Sequence, residues 1–302
     1  MRPRNMFRVA TAALVVGVCV SVLSACETKP MRYVDLVFSA TTKSTERFQT
    51  TTDLNSGSPL DLYTDIYQPS GDKLAKRPVI VWIHGGGFKD GDRSSMGSVA
   101  AQWARRGYVT LSISYRLDPG NRCMEVQYGS ISNPSEEATE RARCFRAITA
   151  ARNDALASVA WVRKHAARLR VDTSRIAVGG SSAGAISAVN VGQQANANGG
   201  AVPAQHKVGA VLAMSGCQYD LDRVDARDAP LAMVASGHDG AVFYSCSVAT
   251  VNKAKSFGTA TMSHYYPNES GHALDLYRHH QAEVDKGWTL FLYQHLKLSQ
   301  PA

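Results

Sequence analysis

Two glycine-bearing turns in the sequence could together perform acyl transfer. Gly180-Ser181-Ser182-Ala183-Gly184 fits the spacing G-x-S-x-G with Ser182 at its centre. An apolar strand-like run, Arg175–Gly179, precedes it and a small-residue helical pattern, Ala183–Gln193, follows. A serine at such a strand-to-helix turn is held in strained dihedrals with its hydroxyl exposed, the arrangement a nucleophile needs. With Ser181 as the centre, Ala183 would occupy a position that wants glycine, so the spacing favours Ser182. The second turn is Ile83-His84-Gly85-Gly86-Gly87-Phe88, directly after another apolar run. Consecutive glycines leave backbone N–H groups open to a developing oxyanion. A phosphate-cradling loop would need G-x-G-x-x-G or a terminal Gly-Lys-Ser/Thr, and neither accompanies it.

An acyl-transfer serine also needs a base. His272 follows a glycine in a short loop between the last strand pattern and the C-terminal helix, a place from which Nε2 can reach Ser182. His238 is its main rival. His264, His279 and His280 lie in strand or helix patterns, where packed or exposed histidine is ordinary.

Placing these groups requires a sheet. Pro59–Pro69 alternates apolar and polar residues as a half-buried strand does, while Pro78–Gly85 and Tyr108–Tyr115 are continuous apolar runs suited to central strands. Further strands are read at Arg175–Gly179, Val208–Ser215, Pro230–Ser236 and Ala260–Tyr266. Helices are read between them at Ser94–Arg106, Glu137–Ala167, Ala183–Gln193 and Gln281–Leu298. In the second of these, Ala155, Val159, Val162 and Ala166 form one apolar stripe. The alternation implies a mostly parallel sheet covered on both faces. No internal repeat or proline-rich linker divides residues 46–302, so they read as one domain, with residues 117–152 as a polar, cysteine-bracketed insertion.

These residues resemble the α/β-hydrolase serine carboxylesterases, especially the branch similar to hormone-sensitive lipase. The resemblance rests on "HGGGF" at 84–88, "SYRL" at 114–117, "DTSRIAVGGSSAGA" at 172–185 and "SGH" at 270–272, and covers about residues 60–298. It implies an α/β-hydrolase fold with a small cap-like insertion and a triad in the order Ser, Asp, His. Asp239 stands where that family's acid would be; Asp220, Asp222, Asp225 and Asp228 crowd one loop and read as a solvated surface. By the same similarity, Gly86, Gly87 and Ala183 would donate to the oxyanion and His84 would brace the loop. Ser181 and the turn "SGHDGAV" depart from the commoner pattern, which leaves the substrate open.

The implied activity is hydrolysis of small or medium carboxylic esters through an acyl-enzyme, on a small-molecule or polymer-borne substrate. The same groups would serve a polysaccharide deacetylase or a serine peptidase, and such a scaffold can also carry a non-catalytic binding protein. No cofactor or metal is implied, since the cysteines form no Cys-x-x-Cys pair.

The remaining features concern location. At 302 residues, 44% hydrophobic and 19% charged, the chain can bury a large core. Arg2, Arg4 and Arg8 precede an apolar run, Val9–Val22, and then "LSAC", Leu23–Cys26. Residues 1–25 read as a secretory signal, and Cys26 as the acylated first residue of a lipoprotein attached to a membrane. Residues 26–45 read as a polar tether. Loss of those arginines lowers the formal net charge of +8, and no arginine-rich block with interleaved aromatics supports nucleic-acid binding. Cys123, Cys144, Cys217 and Cys246 remain, an even number that implies two disulfides in an exported protein. The favoured pairing is Cys123 with Cys144 and Cys217 with Cys246. Nothing in the sequence fixes the oligomeric state.

Overall fold

A computed structural model describes residues 29–193 and 202–300. The signal segment and Cys26 lie outside the described residues. Among the described residues, eight strands form one sheet: β1 (Thr41–Thr52), β2 (Pro59–Pro69), β3 (Arg77–Ile83), β4 (Val109–Ile113), β5 (Val171–Ser181), β6 (Ala210–Met214), β7 (Leu231–Ser236) and β8 (Thr261–Tyr266). Their spatial order is β1-β2-β4-β3-β5-β6-β7-β8. β1 and β2 pair antiparallel, β2 lies antiparallel to β4, and the other neighbours are parallel.

The helices are α1 (Gly97–Ala104), α2 (Cys123–Tyr128), α3 (Pro134–Lys164), α4 (Ala166–Leu169), α5 (Ala183–Gly192), α6 (Tyr244–Ser256), α7 (Ala273–His279) and α8 (Gln281–His295). β3 shows why the sheet needs both layers. Its residues alternate between two cores: Val79, Val81 and Ile83 pack with Val159 and Val162 of α3 and Ile186 of α5. Ile80 and Trp82 pack with Trp103 of α1 and Trp288 of α8. All five strand residues have no solvent exposure, which is why the strand reads as an unbroken apolar run.

Two expectations change. The expected tether runs through residue 45, but β1 begins at Thr41, and the chain before it is docked: Tyr33 is buried and its N–H donates to the Arg106 carbonyl at 2.8 Å. β1 is an edge strand with most side chains in solvent, so its threonines and charges disguise a strand as a linker. The insertion at 117–152 is also shorter than expected, because α3 occupies residues from Pro134 onward. Asn133 caps that helix by accepting from the N–H groups of Ser135 and Glu136, and Pro134 fits its first turn. Only 117–133, including α2, is a separate excursion. Helices α2, α6 and α7 are not among the elements expected from the sequence.

Candidate active site

Ser181 closes β5, pairing with Met214 of β6, and its side chain is buried. Ser182 is the next residue, with φ 56° and ψ −122°, a strained conformation for any residue but glycine. The strain is imposed by crowding on both sides. A Cβ on Gly180 would lie 2.3 Å from the Gly184 carbonyl, and one on Gly184 would lie 2.1 Å from the Ile83 oxygen. Larger residues at either site would push β5, α5 and β3 apart.

The turn is tied down by main-chain bonds. Ser182 N–H donates to the Met214 carbonyl at 2.9 Å, and the Ser182 carbonyl accepts from Ile186 N–H at 2.9 Å. Ala183 is the first residue of α5, so its N–H has no acceptor within the helix.

His272 and Asp239 arrive from the ends of β8 and β7. His272 Nε2 lies 2.9 Å from Ser182 Oγ, and Nδ1 lies 2.8 Å from each Asp239 oxygen. An ionised carboxylate only accepts, so Nδ1 carries the ring proton and Nε2 is left to accept from the serine hydroxyl. Asp239 Oδ1 also accepts from the N–H groups of Ala241 at 2.8 Å and Val242 at 3.0 Å. Burial pushes the Asp239 carboxyl up, but the hydrogen bonds from His272, Val242, Ser215 and Ala241 outweigh it and hold its pKa below the usual value. The side chain therefore stays ionised beside the imidazole.

Ser215 is a site residue that the sequence reading missed. It follows β6 as Ser182 follows β5, is fully buried, and has φ 51°. Its Oγ accepts from Ala273 N–H at 2.9 Å, the residue after His272, and its hydroxyl bonds Asp239. One hydroxyl thus touches both Asp239 and the segment carrying His272. The available signal was a serine directly after an apolar strand, level in the sheet with Ser182.

The glycine loop passes close to the turn: a Cβ on Gly85 would be 3.2 Å from Ser182 Cβ. Gly86 and Gly87 have φ 111° and 61°. The Gly86 carbonyl accepts from Lys89 and Asp90 N–H groups, and the Gly87 carbonyl from Asn121 Nδ2 at 3.1 Å. His84 is buried, stacked on Tyr115 at 4.3 Å, and its Nδ1–H donates to the Gly85 carbonyl at 2.7 Å. Burial keeps its pKa below the ordinary value, which favours the neutral ring. His238 is exposed, and its N–H is bonded to the Glu269 carbonyl. The rival acids Asp220 and Asp225 pair with Arg223 and Arg227, whereas the carboxylate on His272 is that of Asp239.

A cavity of about 400 Å³ opens beside Ser182, Ala183 and Gly87. Its walls include Phe88, Met124, Phe145, Ile186, Tyr219 and Phe243. Disulfides join Cys123 to Cys144 and Cys217 to Cys246, with Cα separations of 5.4 Å and 5.6 Å. Cys123, Cys144 and Cys246 all line the cavity.

A family model described as alpha/beta hydrolase fold matches residues 146–228, the span that contains β5, the Ser182 turn and α5. This is an α/β-hydrolase-fold protein. A second family model, BD-FAE, matches residues 64–124 of the α/β-hydrolase domain, including the glycine loop. Esterase LipI of Mycobacterium tuberculosis is 32% identical over 139 residues, covering 45% of this chain and 36% of that protein. Secreted lipase 5 of Gibberella zeae is 32% identical over 116 residues, covering 38% of this chain and 19% of the lipase. The matches thus span little more than a third, or less, of these curated relatives. Among solved structures, native esterase Est2 of Thermogutta terrifontis superposes with a TM-score of 0.63 at 17% identity, covering 83% of this chain and 91% of the esterase.

Proposed function

We propose that this protein is a serine carboxylic-ester hydrolase, with Ser182 as nucleophile, His272 as general base and acid, and Asp239 orienting the imidazole. The observation that carries the reading is the unbroken chain from Ser182 Oγ through His272 to Asp239, at 2.9 and 2.8 Å. In the first half-reaction His272 Nε2 takes the hydroxyl proton as Oγ attacks the ester carbonyl, and negative charge collects on the carbonyl oxygen. The N–H groups of Gly86, Gly87 and Ala183 are the donors for that charge. His272 then gives its proton to the departing alkoxide, leaving an acyl ester on Ser182. Water enters, loses a proton to His272, and attacks the acyl carbon; the proton returns to Ser182 as the acid leaves. Atoms balance as ester plus water giving alcohol plus acid.

The cavity of about 400 Å³, lined mostly by apolar side chains with Gln127 and Arg141 among them, suits a small or medium apolar acyl or alcohol group. The reading also includes export, with Cys26 acylated at a membrane. Its support is the N-terminal sequence pattern and the two disulfides; no helix among the described residues is long and apolar enough to cross a membrane.

A chain-length series of p-nitrophenyl esters, run beside acetylated xylan and aminoacyl anilides, tests the activity. Turnover is expected on short and medium esters and to vanish in Ser182→Ala. Preference for acetylated xylan would make the protein a deacetylase, preference for the anilides a peptidase, and absence of turnover on all three would leave a binding protein. An intact mass with unmodified Cys26 after expression in a lipoprotein-processing bacterium would refute the anchor.

A further inference from the structure

Beyond the segment that carries His272, Glu269, His279 and His280 each bring one ligand atom to a common point, all three atoms lying within 4.8 Å of one another. We propose that these side chains form a binding site for a divalent transition-metal ion of zinc type, which clasps the two ends of the His272 segment. The inference stands on residues that the ester chemistry does not use.

The donor set decides the class of ion. Two imidazoles and one carboxylate suit zinc, which binds such ligands at about 2.0–2.2 Å and completes a tetrahedron with water. Calcium and magnesium require roughly six or more hard oxygens, which this site does not offer.

Two of the three ligands are already held. His280 Nε2 lies 2.8 Å from Glu269 Oε2. The His280 ring stacks on Tyr266 with centroids 3.6 Å apart and planes 8° from parallel, and the Tyr266 hydroxyl donates to Glu283 at 3.1 Å. Glu269 is fixed through its main chain, donating to the Tyr266 carbonyl at 3.2 Å and accepting from His238 N–H at 2.8 Å. His279 is exposed at the end of α7, with its ring edge-on to His280 at 4.7 Å, so an ion has a path from solvent. On binding, the ion takes the place of the proton between His280 and Glu269. An imidazole binds a metal through a ring nitrogen that carries no proton, so Nε2 is the ligand atom in the tautomer whose hydrogen sits on Nδ1.

The position gives the site its consequence. Glu269 precedes and His279 and His280 follow the segment 270–278, which contains His272 and most of α7. An ion held by both ends closes this loop and opposes its local opening. Zinc should therefore steady the base without entering the chemistry.

Zinc chloride titrated into EDTA-stripped full-length protein, with affinity read by competition against a chromophoric chelator, tests the site. One equivalent is expected to bind in the micromolar range, raise Tm, and slow amide hydrogen exchange across residues 270–278; calcium should do none of these. His279→Ala and Glu269→Gln should each weaken binding by at least about tenfold. His238→Ala, a nearby exposed histidine, should bind as wild type. Absence of a saturable single equivalent, affinity unchanged in both ligand variants, or exchange protection falling elsewhere in the chain would overturn the proposal.

Discussion

The floor of the cavity and its roof keep their shapes by different means. The strand ends form the floor: Ser182, which lines the cavity, and Ser215, Asp239 and His272 follow the C-terminal ends of four adjacent parallel strands, β5 to β8, whose registers are set by main-chain ladders. The roof, α2 with the first turns of α3, has no strand partner. It is held by the Cys123–Cys144 bond and by Arg143 and Arg146 on the fully buried Asp118. Two contacts also cross to the acid turn: Gln127 Nε2 to the Ala241 carbonyl at 2.8 Å, and the Tyr128 hydroxyl to the Gly240 carbonyl. Backbone ladders tolerate side-chain change, whereas side-chain contacts do not. Damage to floor groups should therefore appear in rate, and damage to the roof in substrate preference.

The largest effects test the floor. His272→Ala should lower kcat by about 10⁵- to 10⁶-fold and Asp239→Asn by about 10⁴-fold, with KM nearly constant. In the proposed mechanism the His272 imidazole accepts a proton, so wild-type kcat/KM should fall on acidification, and His272→Ala should lose that limb. Rates over pH for the three proteins check both statements. Retention of the acid limb in His272→Ala would move the base elsewhere.

Ser215→Ala comes next. It removes a hydrogen bond to an ionised carboxylate and another to the Ala273 N–H, so kcat should fall by about 10- to 100-fold with KM almost unchanged. A rise in KM with kcat intact would place Ser215 in substrate binding instead.

The roof gives smaller effects of another kind. Cys123→Ser with Cys144→Ser should lose on the order of 3 kcal/mol of stability and shift the ratio of acetate to longer-chain hydrolysis, while slowing acetate little. Cys217 lies two residues past Ser215, and Cys246 belongs to α6, which follows the Asp239 turn. Breaking that pair should lower the rates for all esters together. Equal rate losses for both pairs would dissolve the distinction between floor and roof.

The smallest effect lies at Asp228. Burial pushes its carboxyl up to about 7. A folded-state pKa above the unfolded value means a contribution that is complete below about pH 4 and lost as pH rises through about 7. Asp228→Asn should therefore flatten the decline in Tm between pH 5 and pH 8 without altering ester preference. Thermal melts across that range, with the ester series as control, separate a stability effect from a change in the cavity.

The floor was far more legible in the sequence than the roof. The Ser182 turn and the glycine loop answer local steric demands, as the close approaches of Gly180 and Gly184 illustrate, and local demands leave short motifs. The strands were legible because β3 to β7 are buried on both faces. β1 was not, because its polarity reflects an exposed sheet edge rather than a flexible chain. The roof depends on contacts between residues distant in sequence, such as Arg143 with Asp118, so its extent was overestimated. Ser215 escaped notice because its role depends on Asp239 and Ala273, which only the folded sheet brings to it.

Peptide mapping after reaction with a fluorophosphonate shows whether Ser182 is the residue made nucleophilic by His272. One covalent adduct is expected, on Ser182, absent from Ser182→Ala and formed far more slowly in His272→Ala. An adduct on Ser181 or Ser215, or stoichiometric labelling of Ser182→Ala, would contradict that assignment.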